Sequence, residues 1–172
     1  MLAHVDAVLL THLHVDHTGW NTVRTDNGWA PTFPNARYVY ARAEENFYAT
    51  AQGQARRSVF EDSVRPLIDA GQVDRIEQPG GRYDEHFIAL GTWRSGLRPQ
   101  ARALFGGDVM HPPIQRTYLH WSSCFCADAV LARRSRAWVH DYVVEKRATY
   151  FSSHFAGTSV VQATRTPMAV AW

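Results

Sequence analysis

The sequence contains few cysteines, little net charge and no long apolar run. Only two cysteines occur in 172 residues, Cys124 and Cys126, and a Cys-x-Cys pair closes too small a ring to be a useful structural disulfide. We therefore expect two reduced thiols. The 18 Lys and Arg side chains nearly balance the 16 Asp and Glu side chains, and the net charge of +2 argues against binding nucleic acid or a membrane surface through bulk charge.

Segments that direct a chain to or across a membrane are also missing from the sequence. No stretch of about 18 apolar residues could span a bilayer, and residues 1–6 lack the basic and long apolar regions of a signal peptide. These absences predict a soluble, cytoplasmic protein. Neither a Gly-x-Ser-x-Gly motif nor a P-loop is present, which argues against a serine nucleophile elbow and a phosphate-cradling loop.

Strand and helix signals alternate along the chain. The length and the 45% hydrophobic content suit one core, so we expect a single domain over residues 1–172. Alternation of this kind predicts an α/β or α+β fold with helices outside the sheet. The first predicted helix is introduced by a capping box at Ser58–Glu61, is shortened or kinked by Pro66 and stops at Gly71, and a second helix starts at Asp128. The predicted strands are Val5–Leu10, Ala36–Ala41, His86–Leu90, Ala101–Phe105 and Thr149–Phe151.

The most informative segment, residues 11–17, reads Thr-His-Leu-His-Val-Asp-His. Zinc-type metals bind neutral imidazole nitrogens and carboxylate oxygens, and a His-x-His pair after a strand presents two imidazoles on the same side of an extended backbone. Asp16 and His17 follow where the chain turns, so they can face a second ion beside the first. Four donor side chains in six residues predict a metal site, in preference to an exposed polar loop with accidental histidines.

This pattern, His12-x-His14-x-Asp16-His17 after an apolar strand, resembles the signature of the metallo-β-lactamase-fold hydrolases. The resemblance extends over roughly residues 6–155 and is strongest to the lactonase-like branch. It implies an α/β fold, the αββα sandwich of that family. The other segments that carry the resemblance are Trp20-Asn21-Thr22, residues 33–38, residues 59–67, Gly107-Asp108-Val109-Met110-His111 with Pro113-Ile114-Gln115, and Ser153-His154-Phe155.

The resemblance implies a centre with two zinc ions per chain. It implies that His12 and His14 bind one ion and that Asp108 bridges both. The other ion would be bound by Asp16, His17 and His154. Such a pair of ions traps a water as hydroxide near neutral pH and polarises a substrate oxygen. Asp16 would orient this nucleophile and pass a proton to the leaving group.

Two histidines lie where the family pattern changes. Some lactonases of the family have a Tyr three residues beyond the bridging Asp, and this position is His111 here. Its neutral imidazole could donate a hydrogen bond to the substrate carbonyl, or it could support a metal ligand or the structure. The family motif Pro-Gly-His-Thr-x-Gly-His, whose first His completes the first metal site, is missing. His86, which lies 22 residues before Asp108, is either the replacement ligand or a strand-edge histidine without a metal.

We therefore predict a metal-dependent hydrolase that uses a metal-activated hydroxide to cleave a small ester or lactone, with β-lactam and organophosphate substrates also open. Family members have several strands before the His-rich loop, whereas about ten residues precede it here, so we expect the first sheet to be incomplete. That feature and the missing motif favour an alternative, a truncated or degenerate non-catalytic copy that binds one metal ion or none. A nuclease is less favoured, because no basic patch with interleaved aromatics is present. The expected partner is a small-molecule substrate, and exposed sheet edges would favour a homodimer.

Overall fold

The computed structural model describes residues 2–77, 89–95, 98–126, 128–165 and 170–171. The chain divides into two compact units, which we call unit 1 (residues 1–79) and unit 2 (residues 80–172), and each has its own sheets and buried clusters. The expectation of a single domain therefore stays a prediction. Within the described ranges, no helix is both long and apolar enough to cross a membrane, and both cysteines are free, as expected.

Unit 1 is built on a parallel sheet of three strands. After a 3-10 turn at Leu2–His4, its elements are β1 (Ala7–Leu9), α1 (Val15–Thr18), β2 (Thr22–Thr25), β3 (Gly28–Pro31), β4 (Arg37–Ala41), α2 (Arg42–Phe47), α3 (Ala51–Gln54), α4 (Arg57–Ser63), α5 (Arg65–Asp69) and β5 (Val73–Ile76). The strand order in the sheet is β1-β4-β5, and β2 pairs with β3 as an antiparallel hairpin. The predicted strands at 5–10 and 36–41 are confirmed as β1 and β4, whereas the hairpin and β5 were not predicted.

The predicted helix that begins near Ser58 is confirmed as two short helices, α4 and α5. They meet at Val64, which has a non-helical backbone with φ −124° and ψ −46°. Pro66 lies in the first turn of α5, where its missing N–H costs no hydrogen bond. The predicted capping box is wrong, because Ser58 lies inside α4 and Arg56 is the N-cap.

Unit 2 contains a four-stranded mixed sheet and one long helix. Its elements are β6 (Ala89–Ser95), β7 (Arg98–Phe105), a 3-10 turn at Pro113–Arg116, α6 (Ala129–Lys146), β8 (Thr149–Phe151), β9 (Val160–Gln162), β10 (Thr164–Arg165) and β11 (Val170–Ala171). The order is β6-β7-β8-β9, with β7 and β8 parallel and the other pairs antiparallel, while β10 pairs with β11. The predicted strands at 101–105 and 149–151 are confirmed. Of the predicted strand at 86–90, residues 86–88 lie outside the described residues, and 89–90 begin β6.

Helix α6 connects the parallel strands β7 and β8, and it begins where the sequence predicts. The Asp128 carboxylate accepts hydrogen bonds from the backbone N–H groups of Val130 at 2.8 Å and Leu131 at 2.9 Å, so it caps the helix. These two bonds hold the pKa of Asp128 below its ordinary value. One face of α6 is buried, and Val139 and Val143 on it belong to the same apolar cluster as Leu104 and Tyr150.

Candidate metal centre

The His-rich segment of unit 1 follows β1 and continues into α1. Leu10 and Leu13 are buried in the apolar core and anchor the segment on either side of His12. The His12 ring lies 4.6 Å from the ring of His14 and 3.9 Å from that of His17, centroid to centroid. The three imidazoles of the predicted motif are therefore brought together within unit 1.

The remaining donor of the segment, Asp16, lies beside His17. Its Oδ2 is 3.3 Å from Nε2 of His17, and its side chain is half exposed, whereas that of His17 is largely buried. On the other side of the cluster, Thr11 Oγ1 lies 3.1 Å from Nδ1 of His12. The segment thus combines one buried and two partly buried imidazoles with one solvent-accessible carboxylate.

Two side chains, one in the first turn of α2 and one at its C-cap, hold the backbone of this segment. The buried carboxylate of Glu44 accepts a hydrogen bond from the Leu13 N–H at 3.1 Å. The Tyr48 hydroxyl donates to the Leu13 carbonyl oxygen at 2.5 Å. Burial, and then the charge of Glu44, raises the pKa of Tyr48 to about 12, so the hydroxyl keeps its proton at neutral pH. Both peptide groups of Leu13, between His12 and His14, are therefore fixed.

Sequence reasoning did not single out Glu44 for this role. Tyr48 is not among the predicted site residues either. The structure places Tyr48 in the core, where its ring packs 5.1 Å from that of Phe60. The spacing of four residues between Glu44 and Tyr48 puts both on one helix face, which is the signal that could have paired them.

In unit 2, Asp108 follows the end of β7. The turn between them contains Gly106, whose N–H donates to the carbonyl oxygen of Phe151 at 2.9 Å. A Cβ atom on Gly106 would overlap the ring of Tyr150, so the close approach of the two backbones requires glycine here. Gly107 has φ +49°, a left-handed conformation that turns the chain toward Asp108.

The Asp108 carboxylate faces the Nε2 atoms of two imidazoles. Its Oδ1 is 2.9 Å from Nε2 of His154, and its Oδ2 is 3.6 Å from Nε2 of His111. The rings of His111 and His154 are nearly parallel, at 4°, with centroids 5.1 Å apart. One ligand atom from each of the three residues lies within 4.8 Å of the others. Asp108 is buried, His111 is partly buried and His154 is exposed, so unit 2 holds a compact set of two nitrogens and one carboxylate that is open to solvent at His154.

Hydrogen bonds fix the backbone around both imidazoles. Ser152 Oγ donates to the Met110 carbonyl oxygen at 3.3 Å and accepts from the His154 N–H at 3.2 Å. The His111 N–H donates to Gln115 Oε1 at 2.7 Å, and the amide group of Gln115 donates to the carbonyl oxygen of Trp121. The two loops that carry the imidazoles are therefore linked to each other and to the segment that follows.

A fully buried arginine of α6 organises the same segment. Arg136 Nε donates to the Leu119 carbonyl oxygen at 2.9 Å, and its Nη1 donates to that of Val109 at 3.3 Å. Its Nη2 donates to Ser122 Oγ at 2.9 Å. The rigid fork of the guanidinium thus joins three points of the chain between residues 109 and 122.

The structure thus places the predicted site residues in two groups. Unit 1 brings together His12, His14, Asp16 and His17, and unit 2 brings together Asp108, His111 and His154. His86 lies outside the described residues. Imidazole nitrogens and carboxylate oxygens are the donors that zinc-type ions prefer, so the chemistry of both groups fits a divalent metal of that type. The assignment of each donor to an ion stays a prediction.

The sequence matches the family model of the metallo-beta-lactamase superfamily over residues 1–154. The chain therefore belongs to this superfamily, and its mixed α/β structure agrees with the predicted fold class. A comparison with curated proteins gives no match.

Solved structures of several proteins are similar to this chain along most of its length. The hydrolase AbOPH of the beta-lactamase superfamily has a TM-score of 0.75 and 16% sequence identity, and the alignment covers 100% of this chain and 65% of the AbOPH chain. AidC, a dizinc quorum-quenching lactonase in complex with its N-hexanoyl-L-homoserine product, has a TM-score of 0.68 and 18% sequence identity. Its alignment covers 99% of this chain and 64% of the AidC chain. A probable metal-dependent hydrolase from Staphylococcus aureus has a TM-score of 0.70 and 15% sequence identity. Its alignment covers 94% of this chain and 59% of the hydrolase chain. These likenesses show the fold, and the chain spans about three fifths of each of these proteins.

Proposed function

We propose that this chain is a metal-dependent hydrolase that cleaves a small ester or lactone with the help of two zinc ions. The observation that carries the proposal is the cluster in which the His12 ring lies 4.6 Å from that of His14 and 3.9 Å from that of His17, with the intervening backbone held at Leu13. Three imidazoles within six residues offer the nitrogen ligands that zinc-type ions prefer. The proposed ligands are His12, His14, Asp16, His17, Asp108 and His154.

When bound, the ions would activate a water for attack and polarise the substrate carbonyl oxygen. The chain itself would hold the ions and transfer the proton. Asp16 is suited to proton transfer, because its carboxylate is half exposed and in contact with His17. We propose that Asp16 accepts the proton of the attacking water and delivers it to the leaving-group oxygen.

The substrate class rests on the lactonase-like segments of the sequence and on the similarity of the fold to AidC, whose bound product is an acyl-homoserine. Fold similarity alone does not determine a substrate. A panel of lactones and esters, with β-lactams and phosphotriesters beside them, therefore tests this part of the proposal. Turnover of lactones or esters above the other classes is the expected result, and Asp16→Asn should reduce it about 100-fold or more.

Elemental analysis of the purified protein tests the metal centre. We expect two zinc ions per chain, and His4→Ala, which removes a histidine of the N-terminal 3-10 turn, serves as the control. His86→Ala is measured in parallel. A fall toward one ion in that variant would identify His86 as the replacement for the missing motif.

One sequence observation favours a second candidate, a domain that has lost catalysis. The motif Pro-Gly-His-Thr-x-Gly-His, which supplies a ligand in the family, does not occur in this chain. A content of one ion or none, unchanged in His86→Ala and accompanied by no turnover in the panel, would support that candidate and contradict the hydrolase.

A further inference from the structure

We propose that His111 is itself a metal ligand, so that Asp108, His111 and His154 form a three-donor site contained within unit 2. This inference rests on the proposed metal centre and adds to it a ligand that the family resemblance does not supply. At the position of His111 the resemblance implies a residue that contacts substrate, not metal.

The separations between the donor atoms suit one ion. In a tetrahedral zinc site with bonds of about 2.0–2.1 Å, neighbouring ligand atoms lie about 3.3–3.4 Å apart. The distances of 2.9 Å from His154 Nε2 to Asp108 Oδ1 and 3.6 Å from His111 Nε2 to Asp108 Oδ2 lie on either side of that value. All three donors meet within 4.8 Å, so only small side-chain shifts are needed to surround a cation.

The polar contacts of the His111 ring also point to a cation. Its Nδ1 is buried, and no described residue forms a hydrogen bond with it. Its Nε2 lies 3.6 Å from Asp108 Oδ2, which is beyond hydrogen-bonding distance. A side chain that is only 17% exposed thus has little polar compensation from the protein. A cation bound between Nε2 and the carboxylate would give this nitrogen a polar partner.

The orientation of the His111 ring is fixed before any ion binds. The ring stacks on His154 on one side, and Phe125 lies against it with a centroid distance of 5.8 Å. The hydrogen bond from the His111 N–H to Gln115 holds its backbone. Because the His111 and His154 rings are nearly parallel and direct the same nitrogen, Nε2, toward one carboxylate, they present a preformed pair of ligands.

The two roles open to His111 exclude each other at Nε2. A nitrogen bound to a metal has no proton to donate to a substrate carbonyl, whereas a hydrogen-bond donor keeps that proton and does not bind the ion. Three protein donors with open positions are also the arrangement of catalytic zinc sites, which leave room for water or substrate. Direct detection of the bond between His111 and the metal therefore separates the alternatives.

Cobalt(II) loaded into the full chain provides this detection. Each imidazole bound through one nitrogen to the paramagnetic ion carries a strongly shifted N–H proton on the other nitrogen, visible by proton NMR in H2O and absent in D2O. The buried Nδ1 of His111 favours slow exchange of this proton. We expect His111→Ala to lack one such resonance and to bind one of two cobalt ions at least tenfold more weakly. His120→Ala, which removes an exposed histidine of the same unit, should match the wild type.

A second pair of variants answers the question if His111→Ala does not fold. His111→Cys should show a sulfur-to-cobalt charge-transfer band in the near ultraviolet, and His120→Cys, with the same number of thiols, should not. Identical shifted resonances in the wild type and His111→Ala, or identical spectra for the two cysteine variants, would overturn the inference while leaving the hydrolase intact. A wild-type chain that binds no cobalt would instead contradict the proposed function, and this inference with it.

Discussion

The hydroxyl of Tyr48 donates a hydrogen bond to the carbonyl oxygen of Leu13 at 2.5 Å, and both residues are buried. Leu13 is the residue between the two histidines of the His-x-His pair. The contact therefore connects the cap of α2 to the backbone that presents the proposed ligands. It explains how a segment with little regular structure of its own holds its imidazoles in one place.

Replacing Tyr48 by Phe should loosen this segment. The change removes the donor but keeps the ring, so a buried carbonyl oxygen is left without its partner. We expect the free energy of unfolding to fall by about 1–2 kcal/mol, and zinc affinity to fall with it. Urea unfolding and competition with a chelator measure the two effects. Tyr118→Phe, at a partly exposed ring of unit 2, is the matched control, and an equal loss in both variants would contradict the explanation.

Replacing Arg136 by Lys should destabilise unit 2, although the charge is kept. An ammonium group cannot reproduce the planar guanidinium contacts with Leu119, Val109 and Ser122, so one buried acceptor and two partly buried ones lose their donors. We expect a loss of about 3 kcal/mol, measured by urea unfolding. Arg134→Lys, at an exposed position of the same helix, should change stability little. Similar stability for the two variants would show that the buried fork is not needed.

Replacing Gly106 by Ala should disturb the end of β7. The added Cβ would overlap the Tyr150 ring, which is fully buried and has no room to move away. Overpacking of this kind costs about 1–3 kcal/mol. Because the same turn leads to Asp108, we also expect weaker zinc binding. Gly19→Ala is the control, since its Cβ would meet only the Val15 carbonyl oxygen at 3.7 Å. Wild-type thermal stability in Gly106→Ala would refute the clash.

Acid should remove the stabilisation that Glu45 provides. Burial works to raise the pKa of Glu45, but hydrogen bonds from Arg75 and Tyr40 outweigh it and hold the pKa below the ordinary value of 4.5. A carboxylate whose pKa is lower in the folded state stabilises the fold above its unfolded pKa, and this contribution disappears as the pH falls through the folded pKa. Glu45→Gln should therefore cost about 1 kcal/mol at pH 7 and progressively less below pH ~4.

Urea unfolding at a series of pH values measures this difference between the wild type and Glu45→Gln. Glu145→Gln, at an exposed position of α6, should differ from the wild type equally little at every pH. A cost for Glu45→Gln that stays constant between about pH 7 and 3 would mean that the ion pair with Arg75 contributes nothing.

Short-range features of the protein could be predicted from the sequence. Asp128 begins α6 because an N-cap side chain bonds only to the N–H groups of the next turn. Pro66 divides the helical segment near residue 64 because it lacks an N–H. The unpredicted hairpin of β2 and β3 turns at Gly28, where φ is +110°, but its strands are short and carry no clear alternation of buried and exposed residues.

The sequence by itself determined that His12, His14, Asp16 and His17 lie close together, because six consecutive residues cannot separate their side chains far. Only the tertiary structure decided which distant residues meet. Asp108 and His154 are 46 positions apart, and they come together because β7 and β8 are parallel neighbours with Phe105 opposite Phe151, so the following segments leave the sheet at the same edge. The support of Leu13 by Glu44 and Tyr48, and the position of His111 over Asp108, likewise depend on the packing of separate elements, which local spacing does not encode.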